Sequence, residues 1–550
     1  MITDKEGRTK EFANILDGFW DKELPNLFPM PSQEKIEELM KELAKKNDFS
    51  LFKFSTGLID NHIKEMVGVK VSQDVKNGSE PSFYYSFKNG GSLRQMGILN
   101  FFMYIAFVHN ITYFKNDFFI DKYLRFPYYE RSLSPIFANT DFYITYDFYG
   151  EPFENYAMNF LVGIFGFDMM KEKTNKEESS FIYSLHIDLS NFYPNIYTHL
   201  LERLGKSFDT FSTYGNPQLE DFFYFLDKYN QQTYLSQTKG IVPGPFSSTL
   251  CAELLMCEID KQIVERIIKG NKIGYLRNVD DMTFYSDSKE SLEFVYNKIQ
   301  IILGEYKLSI NDNKTKFGQC AFEYEESMLS DLNRIVEEFC SGINNVSSLE
   351  NFKARIGQSI KNKQYTLAKG ILTRLKTYLV DNDITIEEPV RIINYLIKLS
   401  LTERFLGSRC LKLIDYLMDC CNENDLEQVV NELKTKLYLV NSACNNSVIQ
   451  IWFYYLINKH SNRTTKLALL NEYDLIDSSK NPLVLATFVE DGNGCNKKLF
   501  EIIKRGIKTG SSAFFTKYGL TLICLYSKDK HNYYSYLKHK PKLLSFLYGD

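Results

Sequence analysis

Apolar positions change their spacing along the chain. From about residue 331 onward they recur at i, i+3, i+4 and i+7. Ala368, Ile371, Leu372, Leu375, Tyr378 and Leu379 make one stripe, Ile392, Ile393, Leu396 and Leu399 a second, and Leu411, Ile414, Leu417 and Met418 a third. That spacing places side chains on one face of an α-helix, so it predicts helix after helix. Polar breaks at Asp381-Asn382-Asp383 and Asn422-Glu423-Asn424-Asp425 predict the intervening loops. No signature recurs at a fixed period, which favours an irregular stack of helical hairpins over a regular array. Proline use agrees, since only Pro389, Pro482 and Pro541 follow residue 331.

The first part reads differently. Aromatic and β-branched runs alternate with helical segments and Gly/Pro turns, as in mixed α/β structure. Predicted strands include Phe142 to Tyr146, Ile182 to Leu189, and Met282-Thr283-Phe284-Tyr285. The expected division is therefore an α/β (α+β) domain over 1–330 and an all-α domain over 331–550. The boundary is expected to be soft, between Ser327 and Gly342.

Composition narrows the function classes. A chain of 550 residues with 44% hydrophobic and 15% aromatic content builds a large core and is not disordered. A net charge of −4 gives no global basic field, so any nucleic acid must be held by a local basic channel. The ten cysteines include no CxxC, and the seven histidines no HxxH or HxxxH, which points to reduced thiols without a zinc site. The opening Met1-Ile2-Thr3-Asp4-Lys5 is polar, and the most hydrophobic stretch, 97–111, is too short to span a bilayer. A cytoplasmic protein with no membrane partner is expected.

Three segments carry the candidate chemistry. Phe181 to Tyr193 reads as an apolar strand ending in Asp188, followed by a turn and two aromatics. Gly240-Ile241-Val242-Pro243-Gly244-Pro245-Phe246-Ser247-Ser248 is a Gly/Pro loop entering a helix from Leu250 to Ile263. Asn278-Val279-Asp280-Asp281-Met282-Thr283-Phe284-Tyr285 holds the chain's only Asp-Asp pair, between apolar runs where a β-turn falls. A pair of Mg²⁺ ions needs several carboxylates converging from rigid elements. Taken singly, a turn Asp pair or a strand-end Asp is ordinary solvated turn chemistry. The three segments together, in this order, are not.

These residues resemble the palm of reverse transcriptases. Asp188 with its apolar approach resembles motif A, Gly240 to Ser248 motif B, Asn278 to Asp281 the YxDD box of motif C, and Leu308 to Lys316 motif D. Leu189-Ser190-Asn191-Phe192-Tyr193 and Ile310-Asn311-Asp312-Asn313-Lys314-Thr315-Lys316 are more specifically similar to the abortive-infection (Abi) polymerases of the AbiK type. In those phage-defence proteins a palm is fused to a C-terminal helical-repeat domain. The resemblance implies that Asp188, Asp280 and Asp281 are catalytic and hold two Mg²⁺ (or Mn²⁺) ions, with the Leu189 carbonyl as a further ligand. Tyr193 would lie under the sugar and exclude a 2′-hydroxyl. Gly244 and Lys314 would contact the nucleotide, with a solvated surface charge as the competing reading for Lys314. Lys88 and Arg94, beside Gly90-Gly91, are the candidate triphosphate cations, and Arg125 and Arg131 are second choices. His186 shares the strand face of Asp188 and reads as a structural histidine.

Two departures matter. Pro243 stands where motif B usually has Gln, and Asn278 where motif C has Tyr, which weakens the case for positioning a template base. The Abi resemblance implies template-independent DNA synthesis from dNTPs, primed by a tyrosine hydroxyl. Its product would be single-stranded DNA covalently attached to the protein, made by a homo-oligomer. Among 37 tyrosines the sequence does not select the primer, although none precedes Tyr84. An RNA-templated reverse transcriptase is the alternative, and a retired palm serving as a scaffold is a third reading.

Overall fold

The computed structural model describes residues 15–45, 79–114, 167–207, 217–320, 325–342, 345–384, 386–476, 481–490, 493–508, 514–529 and 547–548. The strand expected at Phe142 to Tyr146 and the second-choice Arg125 and Arg131 lie outside them.

After a helix α1 (Gln33–Lys45), the stretch holding Lys88 and Arg94 forms a β-hairpin, β1 (Ser82–Phe87) and β2 (Leu93–Ile98). Phe87 pairs with Leu93, and Gly90 and Gly91 take φ of +82° and +85° at the tip. Glycine reaches that region without steric cost, which allows the chain to reverse there. Helix α2 (Phe101–Phe114) follows.

The palm begins with α3 (Phe167–Ser180) and β3 (Tyr183–Ile187), then a one-turn helix α4 (Phe192–Asn195), α5 (His199–Ser207), α6 (Pro217–Thr233) and α7 (Phe246–Ile263). The hairpin β4 (Gly274–Asn278) and β5 (Asp281–Ser286), helix α8 (Lys289–Glu305) and strand β6 (Lys316–Gln319) complete it. The sheet is antiparallel in the order β4-β5-β3-β6. Period-2 alternation sorts its faces. Leu185, Ile187, Met282 and Phe284 are buried in the core, while His186 and Thr283 pair across the other face. Asp188 continues that face one step beyond the strand.

The helical half comprises α9 (Glu325–Ser341), α10 (Val346–Lys361), α11 (Tyr365–Asp381), α12 (Pro389–Thr402), α13 (Gly407–Asp419), α14 (Glu423–Ala443), α15 (Val448–His460), α16 (Arg463–Ile476), α17 (Pro482–Thr487), α18 (Asn493–Lys508) and α19 (Phe514–Lys528). All three predicted stripes are buried faces, of α11, α12 and α13. Two details differ from the sequence expectation. Helix α9 runs through the stretch assigned to a soft boundary and packs on α10 and α11. Only Asn422 of the second polar break lies outside a helix. It caps α14 by accepting from the Asp425 N–H at 2.9 Å, the usual reason an Asn before an acidic first turn starts a helix rather than a loop.

Residues 15–30 join the parts. Trp20 and Phe101 each pack edge-to-face against both Phe19 and Phe28. The Tyr84 hydroxyl donates to Asp21 Oδ2 at 2.6 Å, and the Trp452 indole donates to the Glu23 carbonyl at 2.7 Å. From the hairpin, the Tyr85 N–H donates to the Asn446 carbonyl at 2.8 Å. All ten cysteines are free thiols. Among the described residues no helix is long and apolar enough to cross a membrane.

Candidate active site

The β4–β5 hairpin closes through two residues. Asn278 pairs with Asp281, which leaves Val279 and Asp280 as the turn. Val279 sits at φ +57°, a left-handed conformation that costs a β-branched residue about 1–3 kcal/mol. Arg277 holds the turn in place. Its Nη1 donates to the Val279 carbonyl at 2.9 Å and to Glu253 Oε2 at 2.9 Å. Nη2 donates to Glu253 Oε1 at 2.8 Å and Asp260 Oδ2 at 2.7 Å, and Nε donates to Asp260 Oδ1 at 2.9 Å. All five guanidinium N–H groups thus find oxygen partners. Arg277 and Asp260 are 0% exposed and Glu253 is 2% exposed. The two acids are seven residues apart on α7, one helical face. Tyr275 donates its hydroxyl to Asp260 Oδ1, and burial pushes that carboxyl above the ordinary Asp value.

Asp188 emerges one residue past β3, and the register that pairs Ile187 with Met282 brings it across from Asp281. The two carboxyl groups share a hydrogen bond. Burial, then the charges of Asp280 and Asp188, push Asp281 up to about 6. Asp280 is raised by burial and by Asp188, with Arg94 and Lys314 opposing. The three aspartates therefore meet, although their spacing in sequence is wide.

The motif D segment docks directly on Asp188. Lys314 Nζ donates to Oδ1 at 2.9 Å and Asn311 Nδ2 to Oδ2 at 3.0 Å. The Asn311 N–H donates to the Asp188 carbonyl, and the Ser190 N–H to the Ser309 carbonyl, both at 2.8 Å. These bonds pair Leu189 with Ile310 through their neighbours and leave the Leu189 carbonyl outside the pairing. Lys314 is thus an ion-pair partner of a candidate catalytic carboxylate, with its side chain still 60% exposed.

Lys88 and Arg94 approach from the hairpin. Burial lowers Lys88 below the usual ammonium range, followed by the charges of Arg94 and Lys314, with Asp188 and Asp280 opposing. Tyr193 is half-buried and shares a hydrogen bond with Thr249 of α7, and burial raises its hydroxyl to about 12. Gly244 takes φ +123°, and a Cβ there would stand 3.1 Å from the Gly97 carbonyl. It therefore sits on the seam between the motif B loop and β2, where the Gly97 N–H also donates to the Pro243 carbonyl at 2.9 Å. His186 lies nearer the site than a purely structural histidine would, with Nε2 3.8 Å from Asp281 Oδ1 and Nδ1 3.3 Å from Thr283 Oγ1.

Sequence reasoning missed Arg277, Glu253, Asp260 and Asn311. A signal existed for the first three, as charges placed inside otherwise apolar segments require burial with a partner.

The donor set suits a hard divalent cation. Three carboxylates act on one another, one of them pushed up to about 6, and their oxygens are the hard donors such an ion takes. Asp188, Asp280, Asp281 and the Leu189 carbonyl are the groups that would hold it. Among the described residues, the set of ligand atoms lying within 4.8 Å of one another is a different one, His199, Glu202 and Asp227. The ligand atoms of Asp188, Asp280 and Asp281 do not all lie within that distance of one another. Asp227 is already occupied by Gln231 Nε2 at 2.6 Å and Lys228 Nζ at 3.3 Å, so that cluster reads as a satisfied polar network.

Residues 151–339 match the family described as reverse transcriptase (RNA-dependent DNA polymerase). The chain is 27% identical over 150 residues to the retron Ec83 reverse transcriptase of Escherichia coli, which is 26% of this chain and 46% of that protein. It thus spans about half the length of that curated relative. Solved structures of telomerase from Candida albicans with a telomeric RNA fragment and of apo telomerase from Candida tropicalis align at 11% and 12% identity. They cover 72% and 73% of this chain and 68% and 73% of theirs, at TM-scores of 0.30 and 0.31, too low to add to the assignment. The matched region and its converging aspartates make residues 151–339 a reverse-transcriptase-like domain, the architecture of a DNA-polymerase-type nucleotidyltransferase.

Proposed function

We propose that this chain is a DNA polymerase that adds deoxynucleotides to a tyrosine hydroxyl of its own chain, without a template, as part of phage defence by abortive infection. The observation that carries the polymerase reading is the meeting of Asp188, Asp280 and Asp281 beneath Lys88, Arg94 and Lys314. Divalent ions bound there supply activation of the attacking hydroxyl and neutralisation of the departing pyrophosphate. Asp188 is oriented for that role by Lys314 and Asn311, and the turn bearing Asp280 is held by Arg277. The ammonium and guanidinium groups face the position of a triphosphate. Tyr193, pinned against α7, crowds a 2′-hydroxyl and selects deoxyribose.

Template independence is supported by Pro243. It has no side-chain amide, and its carbonyl is engaged by Gly97. Priming from the protein requires a hydroxyl that reaches the metals. The fully buried Tyr84, Tyr104, Tyr229, Tyr275, Tyr473 and Tyr526 are unsuited to it. The helical half is read as a HEAT-like stack that also offers a surface for homo-oligomer formation.

RNA-templated synthesis is the second reading, favoured by the similarity to a retron reverse transcriptase. Incubation with one labelled dNTP and Mg²⁺, without template, followed by denaturing electrophoresis separates the two. Label remaining on the polypeptide, and absent with Asp280→Ala, is the expected result. Incorporation only on addition of template and primer overturns the untemplated reading.

A further inference from the structure

The helical half carries a row of cations that begins at the mouth of the carboxylate site. Lys369 and Lys376 are seven residues apart on α11, and Arg409 and Lys412 three apart on α13, so each pair shares a helical face. The two helices pack side by side. Lys369 lies within electrostatic reach of Arg409 and Arg94, and Lys412 within reach of Arg409 and Lys376. Arg94 completes the path, acting on Asp280 and Tyr193 on one side and on Lys369 and Glu23 on the other. The hairpin is fixed to the helical half by the Tyr85–Asn446 bond and by Arg404, whose guanidinium lies 5.6 Å from the centre of the Phe87 ring. The relation between site and row is therefore built into the fold.

Among the described residues, Asp21 and Glu23 are acids that act on the row. Asp21 is committed, since Oδ2 accepts from Tyr84 and Oδ1 from the Glu23 N–H at 2.8 Å. Arg94, Lys369, Arg409 and Lys412 thus share these two carboxylates, and Lys376 acts on Lys412. Lys369 makes a cation–π contact with Phe405 at 5.7 Å, and Lys412 donates to the Lys22 carbonyl, so neither ammonium is held by an ion pair of its own. Both are lowered by burial, with neighbouring cations adding to the effect. Half-buried like charges repel one another, and a polyanion laid across them removes that cost. One triphosphate is already served by Lys88, Arg94 and Lys314. The cations beyond it suit an anion with one charge per repeating unit.

We propose that Arg94, Lys369, Arg409, Lys412 and Lys376 form a track for the phosphodiester backbone of a single-stranded DNA leaving the active site. The track deepens the polymerase reading and rests on it for the direction of the strand. Binding to the track can be measured without nucleotide or metal, so it is separable from catalysis.

The test is fluorescence anisotropy of a labelled oligothymidylate titrated with salt. Each phosphate contact on a single strand contributes about 0.7 to the slope of log K against log salt, so a wild-type slope of magnitude about 3.5 is expected. Lys369→Gln/Arg409→Gln should lower it by about 1.4 and weaken binding at least about 10-fold, while Lys369→Arg/Arg409→Lys keeps the wild-type slope. Attachment of the first nucleotide should persist in the Gln pair, with shorter products. Asp280→Ala should still bind the oligonucleotide, which isolates the track from any failure of the polymerase reading. A wild-type slope below about 2, an unchanged slope in the Gln pair, or displacement of the DNA by polyglutamate at equal charge concentration overturns the proposal.

Discussion

Replacing Arg277 with Met tests whether the turn carrying Asp280 depends on a buried cation. Met matches the length of the aliphatic stem but removes every donor. Glu253 and Asp260, 2% and 0% exposed, would then face each other in the core without a counter-charge. Breaking a buried ion pair from one side costs about 3–5 kcal/mol. For a cooperative unit of the palm's size that is a fall in Tm of about 6–20 °C, read by near-UV circular dichroism or dye-based melting. The lost bond to the Val279 carbonyl is charge-assisted, worth about 1.5–3 kcal/mol, and it opposes the strain of a left-handed valine. Nucleotide attachment by protein kept below its melting transition should fall about 10- to 100-fold. The triple variant Arg277→Met/Glu253→Gln/Asp260→Asn leaves no charge unpaired and should recover most of the Tm without recovering activity. Asp260 already titrates above its ordinary value, so its contribution to stability is full at low pH and is lost as pH rises. The melting deficit of Arg277→Met should therefore shrink on acidification. A single variant that melts within about 2 °C of wild type, or turns over at the wild-type rate, refutes the role assigned to Arg277.

Asp281 titrates near 6 against an ordinary value near 3.8, so in metal-free protein its contribution to stability is present below about pH 4 and lost through about pH 6. Mg²⁺ should raise Tm more at pH 7.5 than at pH 5, and equal shifts at the two pH values would contradict the assignment of this carboxylate to the metal site. Replacing Tyr193 with Ala opens space beneath the sugar. Discrimination against ribonucleotides should drop about 10- to 100-fold, the scale set by a steric contact of one small group, and unchanged discrimination would remove Tyr193 from the gate.

Much of this molecule was legible in its one-dimensional pattern. The 3.6-residue stripes of α11, α12 and α13 became their buried faces because amphipathic spacing is a local property that packing only has to accept. The same holds for β3 and for the turn at Val279-Asp280, where apolar runs bracket an acidic pair. The candidate site was an expectation from motif order, and in the structure Lys88, Arg94 and Lys314 act on its aspartates.

Position in space was not legible. Nothing local announces that Lys314 pairs with Asp188, that Glu253 and Asp260 hold Arg277, or that α11 and α13 bring cations toward Arg94. Those contacts join residues tens to hundreds of positions apart, and they exist because the antiparallel register of β3 with β5 and the docking of residues 15–30 fix which surfaces meet. Periodicity sets which side of an element is apolar. Only burial against a particular neighbour decides which charges must find each other, since a buried charge without a partner is too costly to keep.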